Sequence, residues 1–242
     1  RVRLVKINRK VQASAREVHV TPPEARPAPE APDDKPDTRR SRQKSDRRSQ
    51  LLSAAAHLMA ERGFLAVRLE DIGSAAGVSG PAIYRHFPNK EAMLVELLVG
   101  VSTRLLAGAH SVADTTPDPK AALDGLVDFH LDFALGEPDL IQIQDRDLAH
   151  LPVSAQRQVR RAQRRYVEIW VGVLRQLNPR LDEADARVMA HAAFGLLNST
   201  PHSLKPRSIR TTGQVPSRSL LHEMTVAALS VEGRRPQRRD HG

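Results

Sequence analysis

Residues 68–90 read RLEDIGSAAGVSGPAIYRHFPNK, and this stretch decides the fold. Leu69, Ile72 and Ala76 recur at helical spacing, which predicts a short helix with one inward stripe. Gly77 ends it, because glycine enters the left-handed conformation without a Cβ clash. Val78 is the expected plug of the turn. Ser79 is the expected N-cap of a second helix, its hydroxyl placed to accept from an orphan amide. Pro81 falls in the first turn of that helix, where no amide donor is needed. Ile83 and Phe87 face inward, and Pro88 stops the helix. Two short helices joined by a turn of about four residues containing glycine form a helix-turn-helix, whose second helix enters the DNA major groove. The competing reading is an ordinary helical hairpin in an all-α core. The cap, the turn, the proline and the basic-aromatic outer face of the second helix agree on the first.

Flanking segments extend the pattern. SQLLSAAAHLMAERGF precedes it, with Leu51, Leu52, Ala55, Leu58 and Met59 as an inward stripe and Gly63 as the end. NKEAMLVELL follows, with Asn89 as a cap and a long apolar helix running to about Ala109. Over residues 48–99 the chain resembles the DNA-binding domain of the TetR family of transcriptional regulators. The resemblance implies that Gly80, Pro81, Ala82, Tyr84, Arg85, His86 and Lys90 approach an operator. Two positions depart from the family. Arg68 stands where Thr or Ser usually opens helix 2, and Gly73 replaces a common Ala at up to ~1 kcal/mol in helix propensity.

The side chains assign roles within that face. Arg85 is the candidate for bidentate pairing with guanine. Ser79, Gly80, Pro81 and Ala82 form a small tip that lets the helix approach closely. Tyr84, His86 and Lys90 are expected to position the protein on phosphates. Arg68 is either another phosphate ligand or a solvated arginine.

The rest of the chain sets the frame. Its 242 residues fit a small and a larger helical domain, and 40% apolar residues supply a core. Aromatics are 3%, too few for a sandwich or barrel. The sequence has no cysteine, which excludes disulfides, thiolate metal sites and cysteine nucleophiles. The net charge of +9 suits a polyanionic partner. No glycine-rich phosphate loop, HExxH or nucleophile elbow occurs, so no enzyme is expected. No run reaches the roughly 18 apolar residues of a membrane span, and the start carries no signal-peptide core. A cytoplasmic location is expected.

The fold class read from this is all-α. Residues 1–45 are expected to be a disordered, proline-rich basic arm, and 46–92 the helix-turn-helix domain. Residues 93–232 are expected to form a helical effector-binding and dimerisation domain, and 233–242 a basic tail. The arm's Arg39-Arg40-Ser41-Arg42-Gln43-Lys44 either enters a minor groove or remains a solvated tail. Helices are expected to open at Pro119, Pro138, Pro152, Asp182 or Asp185, and Ser217, with a loop over NSTPHSLKP.

In the larger domain Phe129, His130, Phe133, Tyr166, Trp170 and Phe194 fall on inward positions. They line either a small-molecule cavity, with His130, Gln142, Gln144, His191 and Asn198 as polar lining, or a plain core. No ligand spacing supports a metal, and no cofactor is expected beyond an effector. Arg157, Arg160, Arg161, Arg164 and Arg165 share one side of a long helix. They either clamp the phosphates of a ligand such as an acyl-coenzyme A or stay solvated. Small residues in the last two helices suit a four-helix homodimer interface or an internal core. The partners expected are double-stranded operator DNA, a second copy and a small-molecule effector, with no membrane. Together these give a ligand-responsive regulator, which the resemblance implies to be a repressor, of acyl-CoA or lipid catabolism genes. The alternatives are an architectural DNA binder without effector or, more remotely, an enzyme using the helical domain.

Overall fold

The computed structural model describes residues 36–199 and 216–230. The arm over 1–35, the tail at 233–242 and most of the NSTPHSLKP loop lie outside the described residues. The chain divides into two units, Arg1–Arg40 and Ser41–Gly242. Both hydrophobic cores lie in the second. Every regular element among the described residues is helical.

The helices are α1 (Pro36–Arg62), α2 (Leu69–Ala75), α3 (Gly80–Ile83), α4 (Lys90–Thr115), α5 (Pro119–Gly136), α6 (Pro138–Asp147), α7 (Val153–Leu177), α8 (Glu183–Leu197) and α9 (Pro216–Leu229). A single 3-10 turn, Leu148–His150, joins α6 to α7. Most starts follow their caps. Asn89 accepts from Ala92 N at 2.8 Å, Asp118 from Ala121 N at 2.9 Å and Asp182 from Asp185 N at 2.8 Å. The last helix begins at Pro216, one residue ahead of the expected Ser217.

Two boundaries differ from the sequence reading. α1 begins at Pro36, inside the arm expected over 1–45, so residues 36–45 are helical. Arg, Lys and Gln are good helix formers, and Pro36 sits at the start, where it removes no bond. α4 runs to Thr115, past Ala109, because nothing in its last turns breaks it. α4 is also long and apolar enough to cross a membrane by length and composition, contrary to the sequence reading. Its Met93, Leu94, Leu98, Val101 and Ala109 are buried in the two cores instead.

The first core joins α1, α2, α3 and α4 through Leu51, Ala55, Met59, Ile72, Ile83, Phe87 and Leu94. Leu140, Ile143, Leu151 and Val159 continue it into the larger domain. Gly77 has φ +65° and Gly63 φ +86°, the left-handed turns that end α2 and α1. A Cβ on Gly73 would meet the Val78 carbonyl at 3.1 Å. Close packing of the turn therefore accounts for glycine in place of alanine.

Short helices leave carbonyls without intrahelical partners, and three cations take them here. The Lys90 ammonium donates to Phe64 O at 2.8 Å, Leu65 O at 3.1 Å and Val67 O at 2.9 Å. It also lies 4.6 Å from the Phe64 ring centroid. Arg48 grips Glu96 of α4 with Nε and Nη2 and donates Nη1 to His86 O at 2.7 Å. Its guanidinium sits 4.0 Å over the Phe87 ring. Arg146 of α6 donates to Met59 O and, at 3.2 Å, to Ala60 O at the end of α1. The buried Asp147 accepts from Phe64 N at 3.3 Å and from Arg146 Nη2 at 3.1 Å.

Lys90 is therefore a fold-holding residue, and the expectation of a phosphate ligand is corrected. All three of its protons go to carbonyls. Lys90→Met should lower the free energy of unfolding, measured in urea, by about 2–3 kcal/mol. An unchanged urea midpoint would overturn this role.

Candidate DNA interface and ligand cavity

The turn of the helix-turn-helix places a short recognition segment at the surface. Only Gly80–Ile83 is α-helical. Bonds from Arg85 N to Ala82 O (3.2 Å) and His86 N to Ile83 O (2.9 Å) carry the coil on as a tighter turn. Ser79 occupies the cap position with φ −64° and ψ 149°, but its hydroxyl makes no cap bond. Its carbonyl, not its side chain, takes Ala82 N at 2.9 Å. The expected side-chain cap is thus absent, and the hydroxyl stays exposed.

Arg68, Ser79, Pro81, Tyr84 and Arg85 are all exposed, and Ala82 is half-buried. Arg68 caps α2 through its backbone, donating N–H to Asp71 Oδ2 at 3.0 Å. Among the described residues Arg85 has no ion-pair partner. The Tyr84 hydroxyl donates to Glu70 Oε1 at 2.8 Å. That bond holds the Glu70 carboxyl below its ordinary pKa and pushes the Tyr84 phenol up.

His86 departs from the expected phosphate role. Its ring is half-buried, and Nδ1 is buried without a hydrogen-bond partner. Burial, with the nearby charges of Arg48, Lys44, Arg47 and Arg85, pushes its pKa down. A neutral, inward ring is a poor phosphate ligand. Sequence reasoning missed Arg48, whose signal was only its place on the polar side of α1 next to Leu51.

The larger domain encloses a cavity of about 280 Å³. α4 contributes Ser102 and Leu105, α5 His130 and Phe133, and α6 Gln144. Gln163, Tyr166 and Val167 come from α7, and His191, Phe194 and Asn198 from α8 and its end. Four of the six expected aromatic positions, His130, Phe133, Tyr166 and Phe194, line it. Trp170 lies behind, fully buried, with its ring edge-on to Phe194 at 5.0 Å. Phe129 packs elsewhere, against Gly108, where any Cβ would fall 2.1 Å from its ring. Gln142 is not in the lining. Gln163 was missed, although it shares a stripe with Val159, Tyr166 and Trp170 at helical spacing.

A polar chain crosses one wall. Tyr166 Oη is 2.9 Å from His130 Nδ1, and His130 Nε2 is 3.0 Å from Asn198 Oδ1. With a carbonyl oxygen at Asn198, Nε2 carries the proton and Nδ1 accepts from the tyrosine hydroxyl. His130 is buried, and desolvation pushes its pKa down to about 4. Burial likewise pushes the Tyr166 phenol well up. The lining therefore holds no carboxylate, ammonium or guanidinium group, and its buried histidine is neutral. Among the described residues no cluster of three metal-ligating side chains forms.

Known proteins match both halves. A family model for bacterial regulatory proteins of the tetR family covers residues 51–97. A tetracyclin repressor-like C-terminal domain covers 116–206. The KstR2 transcriptional repressor of Mycobacterium tuberculosis is 37% identical over 139 residues, 55% of this chain and 68% of the relative. The chain belongs to the TetR family. It is a DNA-binding transcription regulator and not an enzyme.

The KstR2 repressor of Rhodococcus jostii is 32% identical, and the match spans 54% of this chain but 65% of that protein. Among solved structures, a TetR-family regulator from Bordetella parapertussis is 25% identical with a TM-score of 0.67. That match covers 76% of this chain and 93% of the other. AibR, crystallised with isovaleryl coenzyme A and operator DNA, shares the TetR fold at 18% identity and TM-score 0.61, over 75% and 96% of the two chains.

The burial of His130 fixes a pH dependence. The ring titrates near 6.5 when unfolded and near 4 when folded, so the unfolded chain takes up the proton first. Stability should fall as pH drops from about 6.5 to 4 and level off below, by on the order of 3 kcal/mol from this group. Urea unfolding at pH 7.5 and 4.5 should show a larger acid loss in the wild type than in His130→Gln. Equal losses would overturn the assignment.

Proposed function

We propose that the chain is a repressor that grips a palindromic operator as a homodimer and leaves it when an acyl-coenzyme A-like effector fills the cavity. One observation carries the effector class. The cavity wall is aromatic and amide-lined, and α7, which supplies Gln163, Tyr166 and Val167 to it, carries five exposed arginines, Arg157, Arg160, Arg161, Arg164 and Arg165. A neutral acyl group suits the inside, and phosphates suit the outside.

Asp139, Asp147 and Glu168 are engaged with other basic residues. Asp139 meets His57 at 3.4 Å, Asp147 meets Arg146, and Glu168 meets Arg187 of α8 at 2.7 Å. The Glu168–Arg187 pair also sets the register. One turn back along α7 is Arg164, and one turn on along α8 is His191, at the cavity. Arg164 thus stands toward its polar rim. AibR's coenzyme A ligand and KstR2's naming as a repressor support the same reading.

Contacts along α6 supply a route from effector to DNA. Gln144 lines the cavity, and Arg146 and Asp147 hold the end of α1. An effector that prefers one placement of α6 biases α1 with it. For the dimer, α8 and α9 leave Val188, Leu220 and Met224 exposed beside Ala192, Gly195, Ala227 and Ala228. Such a small-residue apolar face suits a two-fold helical interface. The recognition segments then lie about 34–36 Å apart. The site of action is the cytoplasm, with the DNA.

Fluorescence anisotropy on a duplex from upstream of the chain's own gene tests this. Binding in the nanomolar range, weakened by an acyl-CoA but not by the free acid or coenzyme A alone, is expected. Arg85→Ala should relax preference at one base pair per half-site, worth about 1–3 kcal/mol. Equal affinity for a scrambled duplex at physiological salt would sink the regulator reading of this site, and release by the free acid would sink the effector class.

A further inference from the structure

The start of α1 projects from the packed domain. Ser41 through Arg47 are all exposed, and packing begins at Arg48 and Leu51. Seven such residues extend about 10 Å of helix. Short helices that are polar all round are marginal alone in water, so this segment gains most from an external surface.

Its charge and position indicate which surface. Lys44 and Arg47 are three residues apart and share one helix face, with Gln43 at its edge and Arg42 turned away. Arg47 Nη1 reaches towards Ala76 O at the end of α2 (3.5 Å). Lys44 and Arg47 are close enough to the recognition segment to disfavour the charged form of His86. The face therefore lies on the side of the domain that carries Arg85.

We infer that the Lys44–Arg47 face of α1 lies across the phosphate backbone flanking the bases read by the recognition segment, adding affinity without sequence preference. A helix is about 10–12 Å across with its side chains, and the minor groove is about 6 Å wide. The described part of the basic segment is thus too thick for the groove that an extended arm enters. Phosphate contact is what remains to it, with lysine and arginine releasing counterions. The inference rests on the DNA-binding role but not on any effector.

The test measures full-length protein on two duplexes of equal length, the upstream DNA and its scrambled version, over a range of salt. K44Q/R47Q should weaken binding to both by the same factor. It should also flatten the plot of log affinity against log salt by about 2 per protomer. Gln43→Lys, which adds a cation at the edge of that face, should steepen it and tighten both complexes. The inference is overturned if K44Q/R47Q leaves the slope unchanged, or if its loss is confined to the upstream duplex or to A·T-rich flanks. Failure of the wild type to distinguish the duplexes would count against base readout instead, leaving the slope comparison intact.

Discussion

Carbonyl groups stranded at helix ends are the constraint on which this DNA-binding domain depends. Between α1 and α4 the chain has only the short α2 and α3 and the turns around them, so much of its backbone lies outside a helix interior, where acceptors lack intrahelical donors. Lys90, Arg48 and Arg146 supply those donors from α4, α1 and α6. Each reaches across to a different element, so the same bonds that satisfy the backbone also fix the angles between helices. Hydrophobic contacts among Leu51, Ile72, Ile83 and Phe87 provide the cohesion. The cations make one arrangement of that core preferable to its neighbours.

The helix-turn-helix was legible because its grammar is local. Gly77, Pro81 and Pro88 act on their own backbone, and Leu69, Ile72, Ile83 and Phe87 declare a face by spacing alone. The helix starts at Pro119, Pro138 and Asp182 were legible for the same reason. What failed was long-range. Nothing near Lys90 in the sequence tells that three carbonyls of the preceding turn converge on it. Basic residues in a DNA-binding domain look alike until the fold shows which ones are engaged. The α1 start lies ahead of the expected one because Pro36 opens a helix where a proline-rich, apolar-poor segment reads as a break, and Arg, Lys and Gln then favour helix.

The cavity was half legible. Inward aromatic positions were found by periodicity, but periodicity cannot say which of two inward-facing residues borders empty space. Phe129 and Phe133 lie one helical turn apart on α5. The first is taken up by the flat place that Gly108 leaves on α4, and the second faces the cavity. Likewise Trp170 is sealed behind Phe194, while Tyr166, one turn earlier, reaches His130. That discrimination depends on the partner helix, and one chain segment does not encode it.

The Tyr84–Glu70 bond sets a condition on how the recognition surface meets DNA. The phenol has a single proton, and in the free protein Glu70 holds it. A DNA phosphate that recruits this hydroxyl must break that bond, and it then sits near a carboxylate that keeps only the positive charge of Arg68 beside it. Each approach to the double helix is therefore opposed by a small fixed repulsion, felt equally at correct and incorrect sequences. Base contacts such as those open to Arg85 outweigh it only at a matching site. Any contact between this hydroxyl and a phosphate therefore costs the protein an internal bond, at matching and random sequences alike.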